Sequence, residues 1–145
     1  MPGVASPMDE TELLERFTDH APGFLHMLGA SFVAADGETA RCTMQFDIGH
    51  DFCHSVDVVQ GGFVTAMLDA AMTHAAFATS ADVVNISSLE IKTTYLEPTR
   101  AGKLRVEGQV VKMGYKTAFM EGRVYNDQGQ LTATGSTVAK VIRRK

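Results

Sequence analysis

Tryptophan is absent from this sequence, cysteine occurs twice and proline four times in 145 residues. Two cysteines, Cys42 and Cys53, cannot build a disulfide framework, which excludes the stapled secreted scaffolds. An excess of positive charge is missing too: 13 Lys and Arg stand against 17 Asp and Glu, a net charge of −4. That balance argues against nucleic acid or an anionic membrane surface as a partner. The one basic cluster, Arg143-Arg144-Lys145, reads as a solvated tail. No basic n-region precedes an apolar h-region, and the run from Gly61 to Thr79 is interrupted by Asp69 and His74. Neither a leader nor a membrane span is therefore expected, and a cytoplasmic location is. No internal repeat or low-complexity tract is present. What remains is an ordinary globular composition, 45% hydrophobic and 21% charged, in a chain long enough for one real core.

Residues 1–8, with two prolines and a glycine, are expected to form a flexible N-terminus, and residues 9–145 one domain. Asp9-Glu10-Thr11-Glu12 leads into Leu13, Leu14 and Phe17, an amphipathic helix that ends near His20. Phe24–Leu28 is a connector with apolar contacts. Ser31–Ala35 and Thr39–Phe46 read as strands flanking Asp36-Gly37, a two-residue hairpin signal. An irregular stretch rich in His, Asp and Cys follows. After the long apolar helix come four more strands: Val83–Leu96, with Leu89, Ile91, Thr93 and Tyr95 on one face, then Leu104–Val111, Ala118–Tyr125 and Leu131–Ile142. Helix, two strands, long helix, four strands is an α+β pattern, satisfied by an antiparallel sheet wrapped around one buried helix.

That helix carries the chemistry. Gln60-Gly61-Gly62 opens it, and Phe63 to Met72 continue it with good helix formers, apolar on every side except for Asp69. A carboxylate in such a place needs partners, and such places are mostly where chemistry is done. The glycine pair lets backbone approach closely, and free N–H groups at a helix start suit an oxyanion or a polarised carbonyl. Seven residues separate Gly62 from Asp69, roughly 10 Å at ~1.5 Å per residue. Both must lie within ~3–4 Å of the reacting atoms. One copy cannot satisfy this; two antiparallel copies can, so the spacing asks for a homodimer.

The glycine pair, the acid seven residues later and the element order resemble the hotdog fold. More narrowly, the chain looks like the 4-hydroxybenzoyl-CoA thioesterase superfamily, in its branch of phenylacetate-pathway-type acyl-CoA thioesterases. The resemblance runs from about Leu28 to Val141. It rests on Val59-Gln60-Gly61-Gly62 through Leu68-Asp69-Ala70-Ala71-Met72, on Tyr95-Leu96-Glu97-Pro98, on Lys112–Phe119 and on Gly129–Gly135. It implies one hotdog domain over residues 9–145 with about six strands around a long central helix and a short N-terminal helix. It also implies hydrolysis of an acyl-CoA to free acid and coenzyme A, with no cofactor beyond the CoA of the substrate. The matching carboxylate, Asp69, activates water or attacks the thioester carbon. The matching amide, Gly62 of the other subunit, holds the thioester oxygen. Ser88, with Ser87 beside it, matches the hydroxyl that orients water. Two positions depart from the family pattern: Gln60 stands where histidine is usual, and His54 where asparagine is frequent. The resulting catalytic candidates are Asp69, Gly62, His54 and Ser88, and the substrate-binding candidates Gln60, Gly61, Phe63, Thr65, Ser87 and Lys116. A homodimer, and a homotetramer built from it, is expected.

Other readings weigh less. His50, Asp51, Cys53, His54 and Asp57 match no zinc spacing, so no metal is expected. Neither cysteine has a basic or helix-dipole setting that would make it a nucleophile. His74, about 140° around the helix from Asp69, reads as a satisfied core or interface histidine. A non-catalytic acyl-CoA-binding or regulatory hotdog protein is the main alternative. An enoyl-thioester hydratase is a third, and it lacks a convincing Asp–His hydration motif.

Overall fold

The computed structural model describes residues 8–145, so of the flexible stretch expected over residues 1–8 all but Met8 lies outside the described residues. Met8 is half-buried against the core. Asp9 caps the first helix, α1 (Glu10–Asp19), by accepting the Glu12 N–H at 2.8 Å, and Glu10 and Glu12 complement the positive end of its dipole. Leu13 and Phe17, four apart, form its buried stripe. The connector expected after it is a short helix, α2 (Gly23–Met27), which buries Leu25.

Six strands follow: β1 (Ala30–Asp36), β2 (Arg41–Ile48), β3 (Val83–Tyr95), β4 (Gly102–Met113), β5 (Thr117–Tyr125) and β6 (Leu131–Arg143). They form one antiparallel sheet in the order β1-β2-β4-β5-β6-β3. Between β2 and β3 the chain makes a single turn of 3-10 helix (His50–Phe52) and then the long helix, α3 (Gly61–Phe77). The sheet wraps α3, whose Val64, Met67, Leu68, Ala71, Met72, Ala75 and Ala76 are buried against the inward side chains of the strands. The alternating burial of β2, Cys42, Met44, Phe46 and Ile48 in and their neighbours out, shows how period-2 patterning assigns each strand its faces. Small residues set how near the helix can come. A Cβ on Gly108 of β4 would stand 2.1 Å from the Ala71 carbonyl oxygen, so only glycine lets that strand approach the helix backbone. The result is the helix-in-sheet architecture expected of a hotdog domain.

Two local expectations change. The β1–β2 turn is four residues, Gly37–Ala40, rather than the two-residue Asp36-Gly37 hairpin. Asp36 spends its carboxylate on the N–H groups of Glu38 and Thr39, and Ala40 takes the left-handed conformation at φ 55°. An Asx-type turn outcompetes the tighter hairpin here. In β3, a bulge between Ser88 and Glu90 breaks the alternation. Leu89 is the extra residue and is 66% exposed, so the inward face reads Ser88, Ile91, Thr93, Tyr95 rather than Leu89, Ile91, Thr93, Tyr95. That shift decides which hydroxyl meets the helix. β3 is also the edge of the sheet, and its 13 residues are unpaired along one side.

Candidate active site

The start of α3 forms a cluster of hydrogen-bonding groups. Its N-cap is Gln60, whose carboxamide oxygen accepts the Gly62 N–H at 2.8 Å, a part usually taken by shorter polar residues. The Gln60 N–H donates to the Phe52 carbonyl and the Val59 N–H to the Thr99 carbonyl, which anchors the entry to the helix on both sides. Gly61 is required for a different reason from Gly62. A Cβ on Gly61 would lie 2.8 Å from the Tyr95 hydroxyl, whereas on Gly62 it would meet only the Gln60 side chain. Tyr95 therefore lies directly against the glycine, and its hydroxyl donates to the Gly61 carbonyl at 2.8 Å. Thr65, one turn on, reaches the Tyr95 hydroxyl at 3.2 Å and the Thr93 hydroxyl at 2.7 Å. Phe63 is 37% exposed and packs edge-on against Phe52, ring centroids 4.9 Å apart.

Further along the helix, Asp69 is half-buried, and the Ser88 hydroxyl donates to its carboxylate at 2.7 Å. The bulge at Leu89 brings Ser88 to this face; Ser87 points to the other side of the sheet, where it is exposed. Asp69 borders a cavity of about 670 Å³ between α1, α3 and the start of β3. Phe17, Phe24, Leu25, Ala70, His74 and Phe77 supply much of its wall. His74 is satisfied, as expected: its Nδ1 meets the Ala70 carbonyl at 2.7 Å, and its ring stacks among Phe17, Phe32 and Phe77 at 4.7–5.5 Å. Burial lowers its pKa below the usual 6.5, while the Ala70 bond and the Asp69 charge pull the other way. Although on different faces of the helix, His74 and Asp69 both border the cavity, because α1 lies across them.

The remaining candidates sit apart from these two clusters. His54 is exposed in the loop before α3, and its ring pairs with the Ser55 hydroxyl at 2.9 Å. Lys116 is exposed in the β4–β5 turn and its carbonyl accepts the Val141 N–H. Val141 is eight positions along β6 from Ala133, the partner of Tyr95, roughly 26 Å at ~3.3 Å per residue, so within one copy Lys116 is far from Gly62. In the acidic loop Asp57 is committed to Arg100 at 2.6 Å, and among the described residues no three His, Cys, Asp or Glu side chains group as metal ligands. Cys42 is buried in β2, and desolvation pushes its thiol up to about 12, which removes it as a nucleophile. The end of β6 is more than a solvated tail. Arg143 donates to the Gly114 and Tyr115 carbonyls and pairs with Asp82 at 3.0 Å, a structural strut.

Sequence reasoning left Phe17, Thr93 and Tyr95 off the site, although their signals were present. Phe17 lies on the apolar stripe of α1, and Thr93 and Tyr95 lie on the inward face of β3.

The fold has close parallels. A crystal structure of a phenylacetic acid degradation-related protein from Ralstonia eutropha JMP134 is similar at TM-score 0.81 and 27% identity, over 89% of this chain and 99% of that one. The PaaI protein of the phenylacetic acid degradation operon of E. coli shares the fold at TM-score 0.80 and 15% identity, over 94% and 96%. A thioesterase from Haemophilus influenzae does so at TM-score 0.78 and 17% identity, over 95% and 93%. No curated protein matches the chain in sequence. The family model described as the thioesterase superfamily matches residues 57–133, just over half of the chain, from the loop ahead of Gln60 to the start of β6. This chain, with its hotdog domain and its helix bearing Gly62 and Asp69, belongs to the thioesterase superfamily.

Proposed function

We propose that the chain hydrolyses acyl-CoA thioesters to a free acid and coenzyme A, at a site completed by a second copy of itself. The observation that carries this is the 2.7 Å bond from Ser88 to Asp69, which holds a half-buried carboxylate at the wall of the cavity. So held, Asp69 takes a proton from water as it attacks the thioester carbon, or attacks that carbon itself to give an anhydride that water opens. The tetrahedral oxygen is held by the Gly62 N–H of the second copy, which exchanges its Gln60 partner for the substrate. The released thiolate is a stable leaving group, so no strong acid has to act on it. One such donor is worth about 10²–10³ in rate.

The second copy is supported by two features. Gly62 and Asp69 of one helix are too far apart for one carbon, and β3 offers a long unpaired edge. Antiparallel pairing of that edge about a twofold axis at Glu90 sets Ser88 opposite residue 92 of the copy, one step from Thr93 and hence beside its Gly61–Thr65 turn. A tetramer can then form through the outer sheet face. The acyl group occupies the α1–α3 cavity, where Phe17, Phe24 and Phe77 suit aryl and medium-chain groups; the phenylacetic acid degradation-related relative puts arylacetyl-CoA first. Gln60 and Phe63 of the second copy, with His54 as a further candidate, would shape the entrance, and Lys116 of either copy is the candidate for a CoA phosphate. No cofactor is called for.

Free-thiol release from a panel of aryl, short-chain and medium-chain acyl-CoAs tests the reading, together with sedimentation at the same concentration. Turnover by a dimer or larger assembly is expected. Saturable binding without thiol release overturns hydrolysis in favour of a non-catalytic acyl-CoA-binding protein. Turnover by a monomer overturns the shared site.

A further inference from the structure

Resting on the thioesterase reading, we infer that Tyr95, Thr65 and Thr93 form a one-directional chain of hydroxyls that strengthens the Gly62 N–H as the donor to the thioester oxygen. The direction of each bond follows from counting protons. Tyr95 has one hydroxyl proton, and it goes to the Gly61 carbonyl at 2.8 Å. At 3.2 Å from Thr65, the Tyr95 oxygen can then only accept, so the Thr65 hydroxyl is the donor there. Thr65 has spent its proton in turn, so the 2.7 Å contact with Thr93 is donated by Thr93. Three hydroxyls thus point the same way, and the last ends on a peptide oxygen.

That oxygen belongs to the peptide unit whose nitrogen is the Gly62 N–H. Drawing electron density onto the Gly61 oxygen leaves the amide hydrogen of the same unit more positive, and aligned hydrogen bonds reinforce one another by perhaps 10–30% each. The carbonyl can accept this bond besides its helical one, because it has two lone pairs. Two further observations favour a positioning role over simple packing. A Cβ on Gly61 would displace the Tyr95 ring from this position, so the first glycine lets the tyrosine lie against the peptide. Yet Tyr95 itself is 53% exposed and contributes little to the core. Tyr95 touches no substrate in this scheme; it acts through the peptide.

The test separates polarisation from stability. In the Asp69→Asn protein, which keeps the thioester intact, the stretch of a ¹³C-labelled thioester carbonyl in phenylacetyl-CoA is read by infrared difference spectroscopy. Binding is expected to lower that frequency, and Asp69→Asn/Tyr95→Phe to lower it less. In the otherwise unaltered chain, Tyr95→Phe should lower kcat about three- to tenfold with KM changed less than about twofold, as for a weakened rather than lost oxyanion donor. Thr65→Val should have a smaller effect, and none when added to Tyr95→Phe. If Tyr95→Phe fails to fold, 3-fluorotyrosine at position 95 retains ring and hydroxyl while sharpening the donor, and kcat should rise. An unchanged carbonyl frequency and kcat, additive losses with Thr65→Val, or no gain from the fluorinated ring overturns the chain while leaving hydrolysis in place. A parent protein that releases no thiol overturns the function itself.

Discussion

The two ends of α3 are built differently, although one continuous helix supplies both. At its start the groups are open and donor-rich: the Gly61 carbonyl and Thr65 are met by Tyr95 and Thr93 from β3, while the Gly62 N–H rests on its own Gln60 cap. Around Asp69 the helix is enclosed. Here a single carboxylate has a single hydroxyl partner and borders a cavity that α1 helps to line, with phenyl rings and polar side chains both in its wall. Donors at one end and a held carboxylate at the other are complementary, as the proposed two-copy site requires. Glycines repeat the contrast. Gly62 is free of steric demand beyond its own cap, whereas Gly108 presses on the Ala71 and Met72 backbone. One serves the site and the other the packing.

The largest effect should come from Asp69→Asn. Removing the base should lower kcat by about 10³-fold, within the range for a lost general base, while the melting temperature changes little. Steady-state thiol release and calorimetry read the two. Gly108→Ala should do the reverse. A methyl driven into helix backbone cannot be absorbed by a flexible side chain, so stability falls by about 3 kcal/mol and Tm by roughly 6–12 °C, as measured by calorimetry. Loss of activity without loss of stability in this variant would break the comparison.

Ser88→Ala should lower kcat about tenfold, the equivalent of a charge-assisted hydrogen bond of about 1.4 kcal/mol, with KM nearly constant. Gln60→Ala sharpens the comparison from the other end. Loss of the cap should cost about 1 kcal/mol of stability, yet KM should stay level or fall, because the Gly62 N–H no longer has a resident partner. A raised KM would show that Gln60 contributes to binding rather than holding the donor in reserve.

The smallest effect concerns pH. Burial holds the folded-state pKa of His74 below its ordinary 6.5, so the unfolded chain binds the extra proton more readily. The stability this contributes is present above 6.5 and is lost as pH falls through the folded value. His74→Phe should flatten the acid limb of a Tm–pH curve between neutral and mildly acidic pH. An identical curve would mean that the cavity wall near Asp69 is wetter than its phenyl rings suggest.

Much of this was legible in the chain. The Asp9 cap, the apolar stripe of α1, the alternation of β2 and the length of α3 are local patterns, and local patterns survive folding. Asp69 beside Gly61-Gly62 was legible for the same reason, since helical spacing is a fixed ruler. Ser88 came from resemblance, and the bulge at Leu89 explains why its neighbour faces the other way. Register shifts of one residue cost so little in sequence that alternation alone could not find this one.

Residue order alone put a lone carboxylate midway along an apolar helix that starts on two glycines. It also determined that the two could not meet within one copy, because helix rise is set by backbone geometry and not by neighbours. Packing selected which hydroxyls reach them and brought α1 to the cavity that Asp69 and His74 share. That cavity gathers residues far apart in the chain, Leu13, Phe77 and Arg144 among them, and its walls depend on where six paired strands carry the chain. Side-chain chemistry is written along the sequence; the distances between chemically complementary groups are written in the packing.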